Sequence, residues 1–324
     1  MSGPLELAIV ILNYRTPQLT IDCLRSLAAE RAQEPAFHVW LLDNASGDDS
    51  MPRLEAALQD EGWREFVTLM PQARNSGFAG GNNIGVAAAL AQDPPPRHVL
   101  LLNSDTLVHP GCLRASLAAM DRDPAIGILT SMLENRDGSV QNVCWRFPTP
   151  LRETVRALAL PYVLPRYFSW AETSDRRWDR RAGARDVEWV GGAFMLLRAE
   201  TLRRLGGFDE TFFFYGEDIE LCHRMWRHGL RVRFDPAGTI THFGGASSDP
   251  TRMADRRRAT LMWFARFRVQ RKLYGRLAEF WLRGVYIAVF GAKVAWLLLS
   301  GQRATPRFAG AAAGLSVLIR PLHP

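Results

Sequence analysis

Cysteine is scarce in this chain: Cys23, Cys112, Cys144 and Cys222 are widely spaced and form no C-x-x-C pair. That spacing excludes a zinc knuckle and offers no disulfide framework. The start lacks a basic segment leading into an apolar one, and Leu7–Leu12 is too short for a signal peptide or anchor, so the bulk of the chain is expected to face the cytoplasm. Acids are nearly missing from the tail. Residues 251–324 hold 14 Lys/Arg against 2 Asp/Glu, whereas residues 1–250 hold 26 against 31, so the formal net charge of +7 resides in the tail. Lysine occurs only at 272 and 293, a usage bias without functional meaning. The tail arginines alternate with Trp, Phe and Leu, as in a helix lying on a membrane surface, and no nucleic-acid partner is expected.

What is present is enough for a large core. With 324 residues, 47% of them apolar, the chain suits one elaborated domain or a domain with an appendage. Apolar runs at Leu7–Asn13, Phe37–Leu42, Phe66–Met70 and Val99–Leu102 predict strands. Helical spacing predicts helices at Gln18–Ala29, Met51–Leu58, Phe78–Leu90 and Pro110–Met120. Such alternation makes a parallel sheet with right-handed crossovers. After Ile126–Leu133 the rhythm stops. Gly138–Phe147 reads as an edge strand, and Pro148–Arg185 as a substrate-facing insertion or flexible flap. A strand-like run resumes over Val187–Leu197, then a short helix over Glu200–Leu205, a helix over Glu217–His228, a strand over Leu230–Phe234, and a strand end with a mobile loop over Ile240–Ser248.

Several side chains in this pattern can carry chemistry. Asp105 follows a buried strand, at the sheet edge where open α/β folds bind ligands. It can hold Mg²⁺ or Mn²⁺ against a diphosphate, or merely cap the next helix. Asp43 ends another strand at the same edge; it can accept from a base N–H or ribose hydroxyl, or order the Asn44–Ser50 turn. The stretch Asn75–Gly85 is rich in Gly and Asn but does not give G-x-G-x-x-G in frame, which argues against a nicotinamide site. Gly77 and its neighbours would allow close backbone approach, and Asn82 or Asn83 could hydrogen-bond a ligand; the other reading is a Gly-rich turn into a helix. Gly191-Gly192 marks a bulge or a close approach. Glu217 and Asp218 open a helix whose dipole favours acids, and Asp218 suits a general base as well as a cap. Arg224 is an ion-pair partner or a phosphate contact. His242 is a metal ligand or a structural imidazole.

Read together, Asn13-Tyr14, Asp43-Asn-Ala-Ser-Gly-Asp48, Asn75-x-Gly-Phe-Ala-Gly-Gly-Asn-Asn-x-Gly85, Asn103-Ser-Asp105, Gly191-Gly192, Gly207-Phe-Asp209, Glu217-Asp218 and His242 resemble the inverting family 2 glycosyltransferases, especially their bacterial rhamnosyltransferase-like members. The resemblance covers about residues 7–270. It implies a GT-A fold: a mixed, mostly parallel central sheet flanked by helices over residues 1–250, with an acceptor-side insertion at about 148–186 and a basic amphipathic helical region over 251–324. It implies nucleotide recognition by Asp43, a metal at Asp105 in the D-x-D position, and Asp218 as base. His242 becomes a late metal or diphosphate contact. Asn13, Asn75, Gly77, Asn82, Asn83, Asn103, Gly191, Gly192, Glu217 and Arg224 are carried as substrate-binding positions. Asn103 replaces the usual first acid of D-x-D.

The reaction implied is direct displacement at the donor's anomeric carbon, with Mg²⁺ or Mn²⁺ stabilising the departing diphosphate. The leading donor is dTDP-L-rhamnose and the acceptor a lipid-linked glycan or cell-surface polysaccharide. Another UDP- or GDP-sugar is the alternative, and a noncatalytic nucleotide-sugar or glycan binder a more distant one. A homodimer is left open. Leu277–Leu299 is apolar but interrupted by Glu279, Arg283 and Lys293, so a peripheral position on the inner membrane face is expected rather than a crossing.

Overall fold

The structure, a computed structural model, describes residues 5–31, 36–174, 183–244 and 255–319. In chain order the elements begin β1 (Leu7–Asn13), α1 (Pro17–Arg31), β2 (Phe37–Asp43), α2 (Ser50–Asp60), β3 (Val67–Pro71), α3 (Gly77–Leu90), β4 (His98–Asn103), β5 (Thr106–Val108), α4 (Cys112–Arg122) and β6 (Ile126–Glu134). They continue with β7 (Cys144–Trp145), α5 (Pro150–Ala157), α6 (Leu160–Val163), α7 (Pro165–Phe168), β8 (Arg185–Asp186), β9 (Trp189–Val190), β10 (Phe194–Arg198), α8 (Ala199–Leu205), α9 (Glu217–Arg227) and β11 (Arg231–His242). Three helices follow: α10 (Asp255–Tyr274), α11 (Arg276–Leu299) and α12 (Pro306–Leu318). The chain forms two compact units, one of residues 1–145 and 175–252, the other of 146–174 and 253–324.

The first unit is an α/β fold around a mixed sheet of order β3-β2-β1-β4-β10-β6-β11-β5, with β8 on the side of β11. β3, β2, β1 and β4 run parallel; β10 inserts antiparallel between β4 and β6. Its centre is dry. Leu7 to Ile11 and Val99 to Leu102 are all buried, so β1 and β4 need the continuous apolar runs seen in the sequence. Each buried Leu, Ile or Val side chain contributes roughly 1.5–3 kcal/mol relative to exposure. The glycines of α3 serve this packing: a Cβ on Gly81 would lie 2.6 Å from Leu12 Cδ1, and one on Gly85 2.4 Å from Val10 Cγ1. Their close approach is to a strand of the sheet.

Two expectations change here. Gly138–Phe147 is not an edge strand; only Cys144–Trp145 pairs, with β9, and Val140 makes an isolated bridge to Glu134. A turn intervenes, in which Asp137 Oδ1 accepts from Ser139 N (3.0 Å) and Ser139 O accepts from Asn135 N (2.7 Å). The strands read separately at Leu230–Phe234 and Ile240–His242 are one strand, β11, with an irregularity between Asp235 and Thr239. Asp235 Oδ1 accepts from Ala237 N across that break (2.9 Å), which keeps the strand in line. The mobile loop expected up to Ser248 lies, from residue 245, outside the described residues, as do residues 175–182 of the expected insertion.

The second unit is helical. Phe267 of α10, Leu282 and Tyr286 of α11 and Leu318 of α12 make its buried cluster, with Trp263, Ile287 and Phe290 against it. Arg266 lies over the rings of Trp263 and Tyr286, 5.3 and 5.5 Å from their centroids, and pairs with buried Glu153 of α5 (3.3 Å). Part of the apolar face of α10 is therefore internal. α11 is long and apolar enough to cross a membrane by length and composition, and little of it is buried.

Candidate active site

The carboxyl ends of β1, β2 and β4 lie side by side, because Asn13 pairs with Asp43 and Leu12 with Asn103 in the parallel ladders. Asn13 and Asp43 are both buried. Asn13 Nδ2 donates to Asp43 Oδ1 (2.7 Å), which also accepts from Ser46 Oγ (2.5 Å), while Asp43 Oδ2 accepts from Ser46 N (3.1 Å). Thr20 Oγ1 donates to Asn13 Oδ1 (2.8 Å). Asp43 thus orders its own turn, and Oδ2, with one protein donor, keeps acceptor capacity. Arg15 and Ala45 hold left-handed backbone beside it (φ 58° and 55°), and Ser46 Oγ accepts from Arg15 N (3.0 Å). Strain of this kind in non-glycine residues gathers at functional edges.

Asn44 reaches the glycine-rich segment. Its Nδ2 donates to Gly77 O (3.0 Å) and Asn75 Oδ1 (3.2 Å), and its Oδ1 accepts from Ser76 N (3.0 Å). Gly77 has φ +73°, and a Cβ there would stand 2.3 Å from Phe213 O, so no other residue fits this turn without displacement. Asn82 Nδ2 donates to Phe78 O one turn back in its own helix (2.9 Å). Asn83 is committed to the loop before α9: Nδ2 donates to Phe208 O and Glu210 Oε1 (both 2.9 Å), and Oδ1 accepts from Phe208 N (2.8 Å). Arg224 holds the same loop. Nη1 donates to Leu205 O (2.7 Å) and Gly206 O (3.5 Å), Nη2 to Gly207 O (2.9 Å) and Glu220 Oε2 (2.5 Å), and Nε to Glu220 Oε1 (3.1 Å). A guanidinium has five N–H groups, and here each has a protein acceptor. Of the two sequence readings, Arg224 takes the ion pair, leaving no donor for phosphate.

Asp105 is buried just beyond β4, and its backbone oxygen accepts from Phe243 N (2.9 Å). The β5–β11 ladder pairs His242 with Thr106, which brings His242 Nε2 to 3.3 Å from Asp105 Oδ1 and 3.4 Å from Asn103 Nδ2. Gln141, which the sequence reading did not single out, meets the other imidazole nitrogen: Oε1 lies 2.6 Å from Nδ1. Gln141 Nε2 donates to Asn135 Oδ1 (3.0 Å), and Asn135 Nδ2 to Ser139 Oγ (3.0 Å), so the amide orientations follow from the network. Gln141 Oε1 is an acceptor and thus faces Nδ1, while Nε2 faces a carboxylate oxygen. An imidazole nitrogen and a carboxylate oxygen so close suit a divalent cation. Among the described residues no group of three or more His, Cys, Asp or Glu side chains could hold a metal, so the ligands at this point are two. A hard cation that takes its other ligands from phosphate and water needs no more.

The second acidic centre is tied to the first by one strand pair. Asn103 N donates to Ala193 O (3.0 Å), and the next residue back, Gly192, donates its N–H to the Asp218 carboxylate. Space around Gly191 is open, whereas a Cβ on Gly192 would press on the Phe78 ring at 3.3 Å. Asp218 is half-buried in the first turn of α9, and Ile219 N also donates to its Oδ1 (2.8 Å). Burial pushes its carboxyl up to about 6, against the lowering effect of those N–H groups. Burial first, and then the Asp218 charge, push Glu217 well above the usual carboxylate range, and its buried Oε2 has no hydrogen-bond partner. Of this pair, burial and the neighbouring charge disfavour the charged form of Glu217, while the backbone N–H groups favour the charged form of Asp218. The turn before them is strained as well, at Tyr215 (φ 73°), while the next residue, Gly216, takes φ 97° without a Cβ to clash.

Comparison with known proteins decides the family: the profile of glycosyltransferase-like family 2 matches residues 4–263. The chain belongs to that family. It is a glycosyltransferase. A curated relative, N-acetylglucosaminyl-diphospho-decaprenol L-rhamnosyltransferase of Mycobacterium tuberculosis, is 30% identical over 249 residues, which cover 74% of this chain and 77% of the relative. A low-salt glycan biosynthesis hexosyltransferase of Haloferax volcanii is 23% identical over 227 residues, 70% of this chain and 64% of that one. Among solved structures, a mannosyltransferase from Pyrobaculum calidifontis in complex with GDP-Man and Mn²⁺ matches with a TM-score of 0.55 at 16% identity, over 98% of this chain and 86% of that one. That likeness shows the shared fold.

Proposed function

We propose that this glycosyltransferase inverts the anomeric centre of a nucleoside-diphosphate sugar in a single displacement, with a lipid-linked glycan or polysaccharide as acceptor. One observation carries the assignment of roles: a buried acid paired with an imidazole and a separate, perturbed acid are joined through the β4–β10 ladder. Asp218, ionised above about pH 6, takes the proton from the attacking acceptor hydroxyl. Asp105 and His242 would hold a divalent ion, which when bound offsets charge on the leaving diphosphate. Asn13 and Ser46 fix Asp43, so that its Oδ2 meets the nucleoside. Asn44, Asn75 and Gly77 shape the facing backbone, while Asn82, Asn83 and Arg224 act by holding that frame.

The donor is best stated as a class. The relatives named above are a rhamnosyltransferase, a hexosyltransferase and a mannosyltransferase holding GDP-Man, which supports a UDP- or GDP-sugar at least as well as dTDP-L-rhamnose; the latter remains one candidate within the class. The basic helices of 251–324 attach the chain peripherally to the inner face of the membrane, a reading supported by the exposed apolar length of α11. Incubating purified protein and Mn²⁺ with dTDP-, UDP- and GDP-sugars and polyprenyl-diphosphate glycans, then identifying both products, tests the proposal. A glycosylated acceptor plus free nucleoside diphosphate is expected. A product of retained anomeric configuration, or free sugar released without transfer, would overturn it.

A further inference from the structure

The second unit contains a segment with very little to fold around. α6 buries only Pro161, α7 buries no residue, and each is a single turn that could not persist alone in water. Their large apolar side chains point outward: Tyr162 is 71% exposed, Val163 69% and Tyr167 66%. Leu151 on α5 and Leu158 just after it are exposed on the side that carries Thr154. Thr154 Oγ1 accepts from the indole N–H of Trp281 on α11 (2.9 Å), whose ring is exposed beside Phe280 and Leu277. That bond joins the outer face of α5 to the outer face of α11. Soluble monomers seldom leave so much contiguous apolar surface uncovered.

We propose that the helices of 150–171 and α11 together form one lipid-facing surface that seats this chain on an anionic membrane. The inference rests on the peripheral attachment proposed above and extends it to a segment about 100 residues upstream of the tail. Charge selects the occupant. Residues 146–174 and 253–324 hold 17 Lys/Arg against 4 Asp/Glu, and two of those acids are buried in ion pairs, Glu153 with Arg266 and Glu279 with Arg283. The rim therefore presents cations: exposed Arg166 adjoins Tyr167, and exposed Arg276 adjoins Leu277. Tyrosine and tryptophan with apolar bodies and polar tips, flanked by arginine, match the boundary between acyl chains and anionic headgroups. A protein partner of ordinary polarity offers no equivalent match to both features.

The four native cysteines are all buried, so a single added surface cysteine can be labelled selectively in the full-length protein. Three reporters are compared with an environment-sensitive dye: Tyr162→Cys, Leu277→Cys, and Gln59→Cys, an exposed position of α2, as control. With vesicles of phosphatidylcholine and phosphatidylglycerol, emission at 162 and 277 should rise about threefold and shift to the blue, with position 59 unchanged. Vesicles of phosphatidylcholine alone should give a smaller change. The triple substitution Tyr162→Ser, Val163→Ser, Tyr167→Ser should lower flotation with anionic vesicles about tenfold while the thermal unfolding midpoint stays unchanged. A response at 277 with silence at 162 would overturn this inference and leave attachment by the tail intact. Silence at both, with no flotation, would overturn both. Protection of 162 by self-association in the absence of lipid would replace the membrane with a second copy of the chain.

Discussion

The two units of this protein spend their side chains in opposite ways. In the first, polar groups at the strand ends are wholly or partly buried and joined in networks: Asn13, Asp43, Ser46 and Thr20 form one, Asn135, Gln141, His242 and Asp105 another. In the second, the interior is a small aromatic cluster, while Leu277 and Leu299 stand 85% and 90% exposed. Buried polar networks fix positions because an unmet partner costs about 1–3 kcal/mol. Exposed apolar faces fix nothing until they meet another phase. The first unit is thus built for geometry, and the second for placement.

Substitutions can break that contrast. Among effects on donor binding, the largest belongs to the acid that would face the metal. Asp105→Ala should weaken Mn²⁺-dependent binding of a nucleoside diphosphate about a hundredfold by calorimetry; Gln141→Leu, which removes only the partner that orients His242, should weaken it about tenfold. Unchanged Mn²⁺ affinity in both would make the His242–Asp105 pair purely structural. The smallest effect belongs to the second unit: Leu299→Ser should change unfolding free energy by no more than about 0.5 kcal/mol in urea titrations while reducing vesicle binding. A loss of several kcal/mol there would mean that Leu299 packs against protein.

The parallel half of the fold was legible because β1, β2 and β4 are buried on both faces and so read as unbroken apolar runs; β1 begins and ends where the sequence placed it. The acids that end β2 and follow β4 were legible for the same reason, since a polar residue after such a run marks the sheet edge. Less visible were contacts made across long sequence separations. Gln141 lies 101 residues from His242, in a stretch read as a strand, and no local pattern announces the bond. Asn83 and Arg224 carry residue types that suit a ligand, yet both are taken up by the loop of 205–210, a partner only the fold supplies. The break in β11 misled because Pro236 and Gly238 resemble a turn, whereas the strand passes through them by a bulge: a Cβ on Gly238 would lie 2.8 Å from Ser131 Oγ. α6 and α7 gave no periodicity because they have hardly an inner face to encode.

The central claim is that Asp218 is the base, and its shifted carboxyl makes the claim measurable. A base works only when deprotonated, and burial raises this group to about 6. The sign is therefore fixed: kcat/KM should be level above neutrality and fall about tenfold per pH unit below about 6. Asp218→Asn should lower transfer on the order of a thousandfold, abolish that limb of the profile, and leave donor affinity in place. A wild-type profile flat through pH 5, or an Asp218→Asn protein that is folded and keeps both the rate and the acid limb, would contradict the assignment.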